Sequence, residues 1–428
     1  LKDLELIRQL MHKKIRKESC NMNTDTIFWT KFVLKDIYGV LIAITILFII
    51  GVIAIVDFTP AQFHLNYCYG ITDPAMYLLK RVFGYFLTGL FVMFCVIKFR
   101  DRIDQLSSLM GLLSIILLLL PFIPALGEIT GGTKRNIILF DLRIYTGYWS
   151  VLMALPFLGT TIHSISVKDK STFKRKLMTL PFLTTNIYAI STKDMSAFKM
   201  RLLNMWIVIM NLCFMFQPDA SILLLFDLII LILVATSSLT NKEKITISFF
   251  TIGVPLIFII KIIFFDHYQW QLNRLLSVYN WQDNRETFGY QTWLALLDFK
   301  AGGLWGSGFG SYQAEHPFKY IKWMTISHYI LQITGKQFGL VGLLCVINLY
   351  FLITLNRIKH IAGSKNLIDR SIKVGALSFI MLQAMFNIIR TTNLVPFVGY
   401  YTPPFIGFGF HSMVSSFFAL GLLFSNKN

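Results

Sequence analysis

The sequence predicts an all-α polytopic membrane protein with about ten transmembrane helices, both termini cytoplasmic and a large outer loop between helices 7 and 8. Three observations predict it. The 428-residue chain is 55% hydrophobic and only 14% charged, with a mean hydropathy of +0.61, which leaves too little polar surface to cover a soluble core. Apolar runs close to the ~20 residues needed to cross a bilayer recur along its length. Lys and Arg gather in the connections that fall on one side when those runs are threaded. The net charge of +18 would suggest nucleic acid in a soluble protein. Here it marks cytoplasmic loops, so membrane lipids and not nucleic acid are the expected surroundings.

A basic segment over residues 1–37, carrying Lys13, Lys14, Arg16 and Lys17, precedes a membrane domain over 38–428. The first apolar run is long enough to span, so no cleavable signal peptide is expected. The spans are placed at about Tyr38–Val56, Met76–Ile97, Leu106–Leu126, Ile144–Ile162 and Leu202–Phe216. They continue at about Ile222–Ala235, Ile245–Phe265, His328–Leu355, Val374–Ile389 and His411–Ser425. Pro218, between Gln217 and Asp219, splits what would otherwise be one apolar run into two spans. Lys168–Lys176, Lys193–Arg201, Lys242–Lys244 and Arg357–Lys373 then share the inner side with both termini. Among the five cysteines, only Cys68 falls in an outer loop, so no internal disulfide is expected.

Two outer stretches carry positive charge against this rule. Lys80-Arg81, at the end of the second span, fit interfacial anchors whose heads reach water. Lys134-Arg135, beside Gly131-Gly132, suit an anionic ligand. The outer loop over 266–327 is the most unusual segment, with Arg274, Gly289-Tyr290-Gln291 and the run Gly302-Gly303-Leu304-Trp305-Gly306-Ser307-Gly308-Phe309-Gly310. Such a stretch costs backbone order and charge desolvation, so it is the first place to look for chemistry. By themselves the glycines require only tight turns or close backbone approach. No phosphate-loop lysine follows them, so the sequence names no cofactor; a divalent cation stays open as an alternative, with no histidine or carboxylate cluster to mark its ligands.

These residues resemble the SEDS family (RodA, FtsW, SpoVE), membrane glycosyltransferases of cell shape, division and sporulation. Five segments carry the resemblance in order: Gly131–Ile137, Gln217-Pro218-Asp219, the outer-loop run from Arg274 to Gly310, Gln383 with Asn387, and Pro396 to Gly409. It covers roughly Tyr38 to Ser425. The resemblance implies a lipid-linked disaccharide-pentapeptide substrate, polymerised outside the membrane with a class B penicillin-binding protein as partner.

The departures are specific. The family's Gln-Pro-Ser-Glu at the fourth span reads Tyr145-Thr146-Gly147-Tyr148, without a carboxylate. Its Glu-Glu pair in the eighth span reads Lys336-Gln337. Counting back from Gly339-Leu340-Val341-Gly342, the family's catalytic Asp falls on His328.

Glycan growth needs a base for the acceptor hydroxyl and positive charge for the departing diphosphate. His328 is the candidate base, and Glu315 is a second candidate in the same loop. Arg274, Lys134, Arg135 and Arg390 are the candidate cations, and Gln291, Gln217 and Asp219 complete the substrate-binding set within matched segments. Two other readings stand beside the enzyme. One is an inactive SEDS-like scaffold or lipid-substrate binder, in which His328 is a hydrogen-bonded helix-end histidine. The other is an O-antigen polymerase or ligase, a class that Ser327-His328 followed by Gly339–Gly342 also resembles.

Overall fold

The computed structural model describes residues 37–58, 73–130, 133–139, 142–166, 192–264, 289–312, 324–394 and 401–425, with Gln282 and Gly399. Each predicted apolar stretch folds as helix. The first two are α1 (Ile37–Phe58) and α2 (Pro74–Lys98), followed by the short α3 (Arg100–Gln105) and by α4 (Ser107–Leu119). Three strands come next: β1 (Gly127–Thr130), β2 (Thr133–Leu139) and β3 (Leu142–Tyr145). Helices α5 (Thr146–Ser166), α6 (Thr192–Phe216), α7 (Ala220–Thr236) and α8 (Asn241–Phe264) complete the first part. Beyond them lie α9 (Tyr290–Gly302), α10 (Met324–His328), α11 (Ile330–Ala362), α12 (Leu367–Thr392) and α13 (Phe410–Phe424). Among the described helices, α1, α2, α6, α11 and α12 are long and apolar enough to cross a membrane.

Local chemistry sets the boundaries. Asp73 caps α2 by accepting from the Met76 N–H at 3.1 Å, and Pro74 takes the first helical position, where no N–H is needed. Asn366 caps α12 through the Ile368 and Asp369 N–H groups, and Asn393 closes it in the left-handed conformation. The third span is shorter than its apolar run predicts: α4 ends at Leu119, and Pro121 sits in a single 3-10 turn after it. The chain then turns into an antiparallel sheet of order β1-β2-β3, with Ile137 facing Ile144 and Asn136 facing Tyr145. Sequence reading gives no sign of this sheet. Its strands are short, and Ile144 and Tyr145 continue into the apolar pattern of α5.

The described helices pack into one bundle, with α13 against α2, α5 against α4 and α12, and α11 against α1, α9 and α12. Lipid-facing positions stay apolar, as Leu87, Phe91, Phe249 and Phe351 are all exposed.

The predicted eighth span is broken twice. Tyr329 separates α10 from α11, and α11 itself kinks at Gly339, whose φ is +63°. The glycine-rich run fills this second break. Ser307 N–H donates to the Lys336 carbonyl at 2.8 Å and Gly308 N–H to the Gln337 carbonyl at 3.1 Å. In return, Leu340 and Val341 N–H donate to the Gly303 and Leu304 carbonyls at 2.9 and 3.2 Å. A break in a helix at this depth leaves backbone groups that lipid cannot satisfy, and the loop satisfies them.

Buried charge surrounds the same place. Lys336 Nζ lies 3.3 Å from Asp298 Oδ1, with both side chains almost fully enclosed. Gln332 donates to the other Asp298 oxygen, and Gln337 donates to Asp57 at the end of α1. Lys336 and Gln337 therefore meet carboxylates supplied by α9 and α1. Removing one partner strands a buried charge, so Lys336→Met is expected to cost about 3–5 kcal/mol. The double variant Lys336→Met/Asp298→Asn should recover most of that loss in detergent thermal unfolding.

Candidate active site

Gln217-Pro218-Asp219 forms the turn between α6 and α7, and Arg135 of β2 reaches it. Its Nε donates to the Gln217 carbonyl at 3.2 Å and its Nη2 to the Pro218 carbonyl at 2.8 Å. Nη1 stands 3.9 Å from Asp219 Oδ1. Gln217 is held from behind, its Nε2 donating to the Leu118 carbonyl at 2.6 Å. Asp219 is buried, caps α7 through the Ile222 N–H and accepts from the Tyr145 hydroxyl. The planar fork of Arg135 makes this a shaped contact. Arg135→Lys keeps the charge, loses the paired carbonyl bonds and should destabilise by about 1–2 kcal/mol, read by thermal unfolding.

His328 ends α10, and its ring Nδ1 lies 3.2 Å from Thr402 Oγ1. If Nδ1 carries the proton and Thr402 accepts, the basic lone pair sits on Nε2. The main chain here is pinned by Asn387 of α12, whose Nδ2 donates to the His328 and Tyr401 carbonyls. One turn later, the Arg390 guanidinium stands 5.9 Å from the Tyr329 ring centroid.

The segment 401–409 joins the two groups. Tyr401 donates its hydroxyl to the Ser221 carbonyl at the start of α7, and Ser412 donates to the Thr402 carbonyl at 3.0 Å. His411 sits beside Tyr145, whose N–H points at the imidazole nitrogens at 3.4 Å. Tyr148 packs against Tyr145 with ring centroids 5.3 Å apart.

The structure thus brings Arg135, Gln217 and Asp219 into direct contact and links His328 to the start of α7 through Asn387, Tyr401 and Ser221, while Arg390 packs over Tyr329 beside it. Lys134 neighbours Arg135 on β2 and is half-buried, without an ion pair to any described residue. Gln291 lies elsewhere, on α9, buried, with both amide atoms lacking a hydrogen-bond partner. Arg274 and Glu315 lie outside the described residues, as do the basic segment before Ile37 and most of the loop 266–327. Sequence reasoning missed Thr402 and His411. Both flank the matched Pro404–Gly409 segment, and a polar side chain beside such a motif was the available signal. Among the described residues, no group of histidines, cysteines and carboxylates has the arrangement of a metal site. Lys80 is exposed, and Arg81 stacks on Tyr77 at 4.6 Å, as an interfacial anchor would.

A bundle of apolar helices with a buried polar cluster of Arg, Asp, Tyr and His at one end defines a multi-pass membrane protein with a candidate site for an anionic or sugar-bearing ligand. A family model described as "Cell cycle protein", for FtsW, RodA and SpoVE, matches residues 38–427, and the chain belongs to this family.

A probable peptidoglycan glycosyltransferase FtsW of Geobacter sulfurreducens is 23% identical over 349 residues, covering 81% of this chain and 84% of the relative. A similarly named protein of Trichlorobacter lovleyi is 24% identical over 44% of this chain, and that match spans only half of the relative's length. Stage V sporulation protein E of Bacillus subtilis is 29% identical over 36% of this chain and 41% of its own.

Two solved structures share the fold at 16% identity, each covering 90% of this chain. One belongs to a peptidoglycan synthase complex that coordinates polymerization and crosslinking, with a TM-score of 0.61 and 96% of its chain covered. The other is the rod shape determining protein RodA of Thermus thermophilus, with a TM-score of 0.56 and 94% covered.

Proposed function

We propose that this protein polymerises a lipid-linked disaccharide-pentapeptide into peptidoglycan glycan strands at the outer face of a bacterial cytoplasmic membrane. The observation that carries the reading is the placement of His328. Motif spacing aligns it with the family's acid, and Thr402 and Asn387 hold it in the segment that reaches the Arg135–Asp219 turn through Tyr401.

The acceptor hydroxyl attacks the anomeric carbon of the lipid-linked donor. As the new glycosidic bond forms, the bond to the diphosphate oxygen breaks and that oxygen leaves as the anion. His328 takes the hydroxyl proton, and an imidazole is a competent base at neutral pH. Arg135, Lys134 and Arg390 supply the positive charge that the departing diphosphate requires. Asp219 orients Arg135 and the Tyr145 hydroxyl. Glu315 and Arg274 remain candidates in the outer loop. The partner in this reading is a class B penicillin-binding protein, which crosslinks the strands.

The test is reconstitution of the purified chain with such a partner and lipid-linked disaccharide-pentapeptide. Glycan polymer, resolved by gel electrophoresis, is the expected product. Substrate binding without any polymer would overturn the enzyme reading. The scaffold reading would then stand, favoured by motif spacing that puts His328 where the family carries its acid.

A further inference from the structure

We infer that the inner end of α12 carries a binding site for an anionic phospholipid of the inner leaflet. A cavity of about 170 Å³ lies where α5 and α7 end and α12 begins, with His163, Ser166, Ser237, Ser238, Arg370 and Ser371 in its wall. It shares Thr236, Arg370 and Val374 with a much larger apolar groove of about 750 Å³. On α12 the groove follows one stripe, Val374, Leu377, Met381, Met385 and Ile388, at the three- and four-residue spacing of a single helix face. Tyr350, Phe351, Thr354 and Ile358 of α11 form the opposite wall. A polar chamber opening into an apolar trench matches an amphiphile with one charged head.

The charge of the chamber selects the head. Arg370 is exposed and has no ion pair with any described residue. Its neighbour Asp369 does not compete for it, because Arg100 Nη2 at 3.1 Å and Lys373 Nζ at 2.7 Å already neutralise that carboxylate on the other side of α12. The wall beside it is polar: Ser237 and Ser371 donate to the Val234 and Leu367 carbonyls at 2.7 and 3.0 Å and Ser166 pairs with Ser238, so the guanidinium is the donor the chamber offers to phosphate oxygens. Exposed Lys359, His360 and Lys365 place this end at the inner interface by the charge rule, where anionic lipids concentrate. An apolar helix from a partner would fill the trench but leave Arg370 and the hydroxyl chamber unanswered. A phosphate-bearing lipid fills both.

The site is independent of the polymerase reading, and its test needs no activity. Full-length protein in detergent is incubated with dioleoylphosphatidylglycerol, with dioleoylphosphatidylcholine, or with inorganic phosphate, and retained lipid is read by native mass spectrometry. Retention of phosphatidylglycerol over phosphatidylcholine is expected, falling about tenfold in Arg370→Gln, the loss of one charge-assisted contact. Ser378→Leu, which narrows the trench without touching the chamber, should weaken both lipids together. Equal retention of the two lipids, no change in Arg370→Gln, or binding of inorganic phosphate without a lipid preference would each overturn the inference. Equal retention lost in Ser378→Leu would mark the trench as an apolar docking groove instead.

Discussion

His328→Ala is expected to abolish glycan polymerisation, with a fall of at least ~10²-fold, the usual contribution of a positioned base. The fold should survive the change. Asn387 holds this point through the His328 backbone carbonyl, which alanine keeps. Loss of polymer with unchanged thermal unfolding and unchanged lipid-substrate binding would locate the defect in chemistry. His328→Asp, which restores the family's acid, should retain activity. Because an ordinary carboxylate stays deprotonated to lower pH than an imidazole, His328→Asp should extend activity toward acid pH. Activity lost as pH falls through the imidazole range in the wild type, but kept there in His328→Asp, is the predicted signature. Full activity in His328→Ala would remove this residue from the mechanism and turn attention to Glu315.

The second large effect concerns the loop that fills the broken helix. Gly306 has φ +89°, and a Cβ there would lie 2.0 Å from the Gln337 carbonyl oxygen. That oxygen already accepts from Gly308 N–H, so it has no room to withdraw without breaking the bond. Gly306→Val therefore adds backbone strain of about 1–2 kcal/mol to a clash with main chain, and should leave little monodisperse protein in detergent. Gly308→Ala separates the two terms. Its φ is +87°, yet nothing lies within 4 Å of the new Cβ, so only the strain remains. It should fold normally and melt a few degrees lower. Equal behaviour of the two variants would mean that close backbone approach is not what demands glycine at 306.

Much of this protein is written one residue at a time. The apolar stretches could be placed by length alone, and each is helical over most of its described residues, though the third ends early and the eighth is broken. The split between α6 and α7 was legible because Pro218 cannot continue a helix, and the breaks around Gly339 were hinted at by glycines alone. Candidate site residues were less evenly visible. Arg135, Gln217 and Asp219 lie in motifs that can be read in order, and the structure joins them. Thr402 and His411 carried only the weak signal of polar side chains flanking the Pro404–Gly409 motif, which does not say what either will contact. The sheet from Gly127 to Tyr145 escaped for a related reason: strands this short carry too few alternations to stand out from the apolar run that follows.

The sequence by itself determined the membrane class, the helical character and the family, because hydropathy and ordered motifs are local quantities. Only the tertiary structure decided that Lys336 and Gln337 would meet Asp298 and Asp57, that the glycines exist to satisfy the broken backbone of α11, and that His328 would face Thr402. Each of these joins residues far apart in the chain. Such pairings follow from what a buried charge or an unpaired carbonyl must find inside the bundle, and no local pattern records the partner.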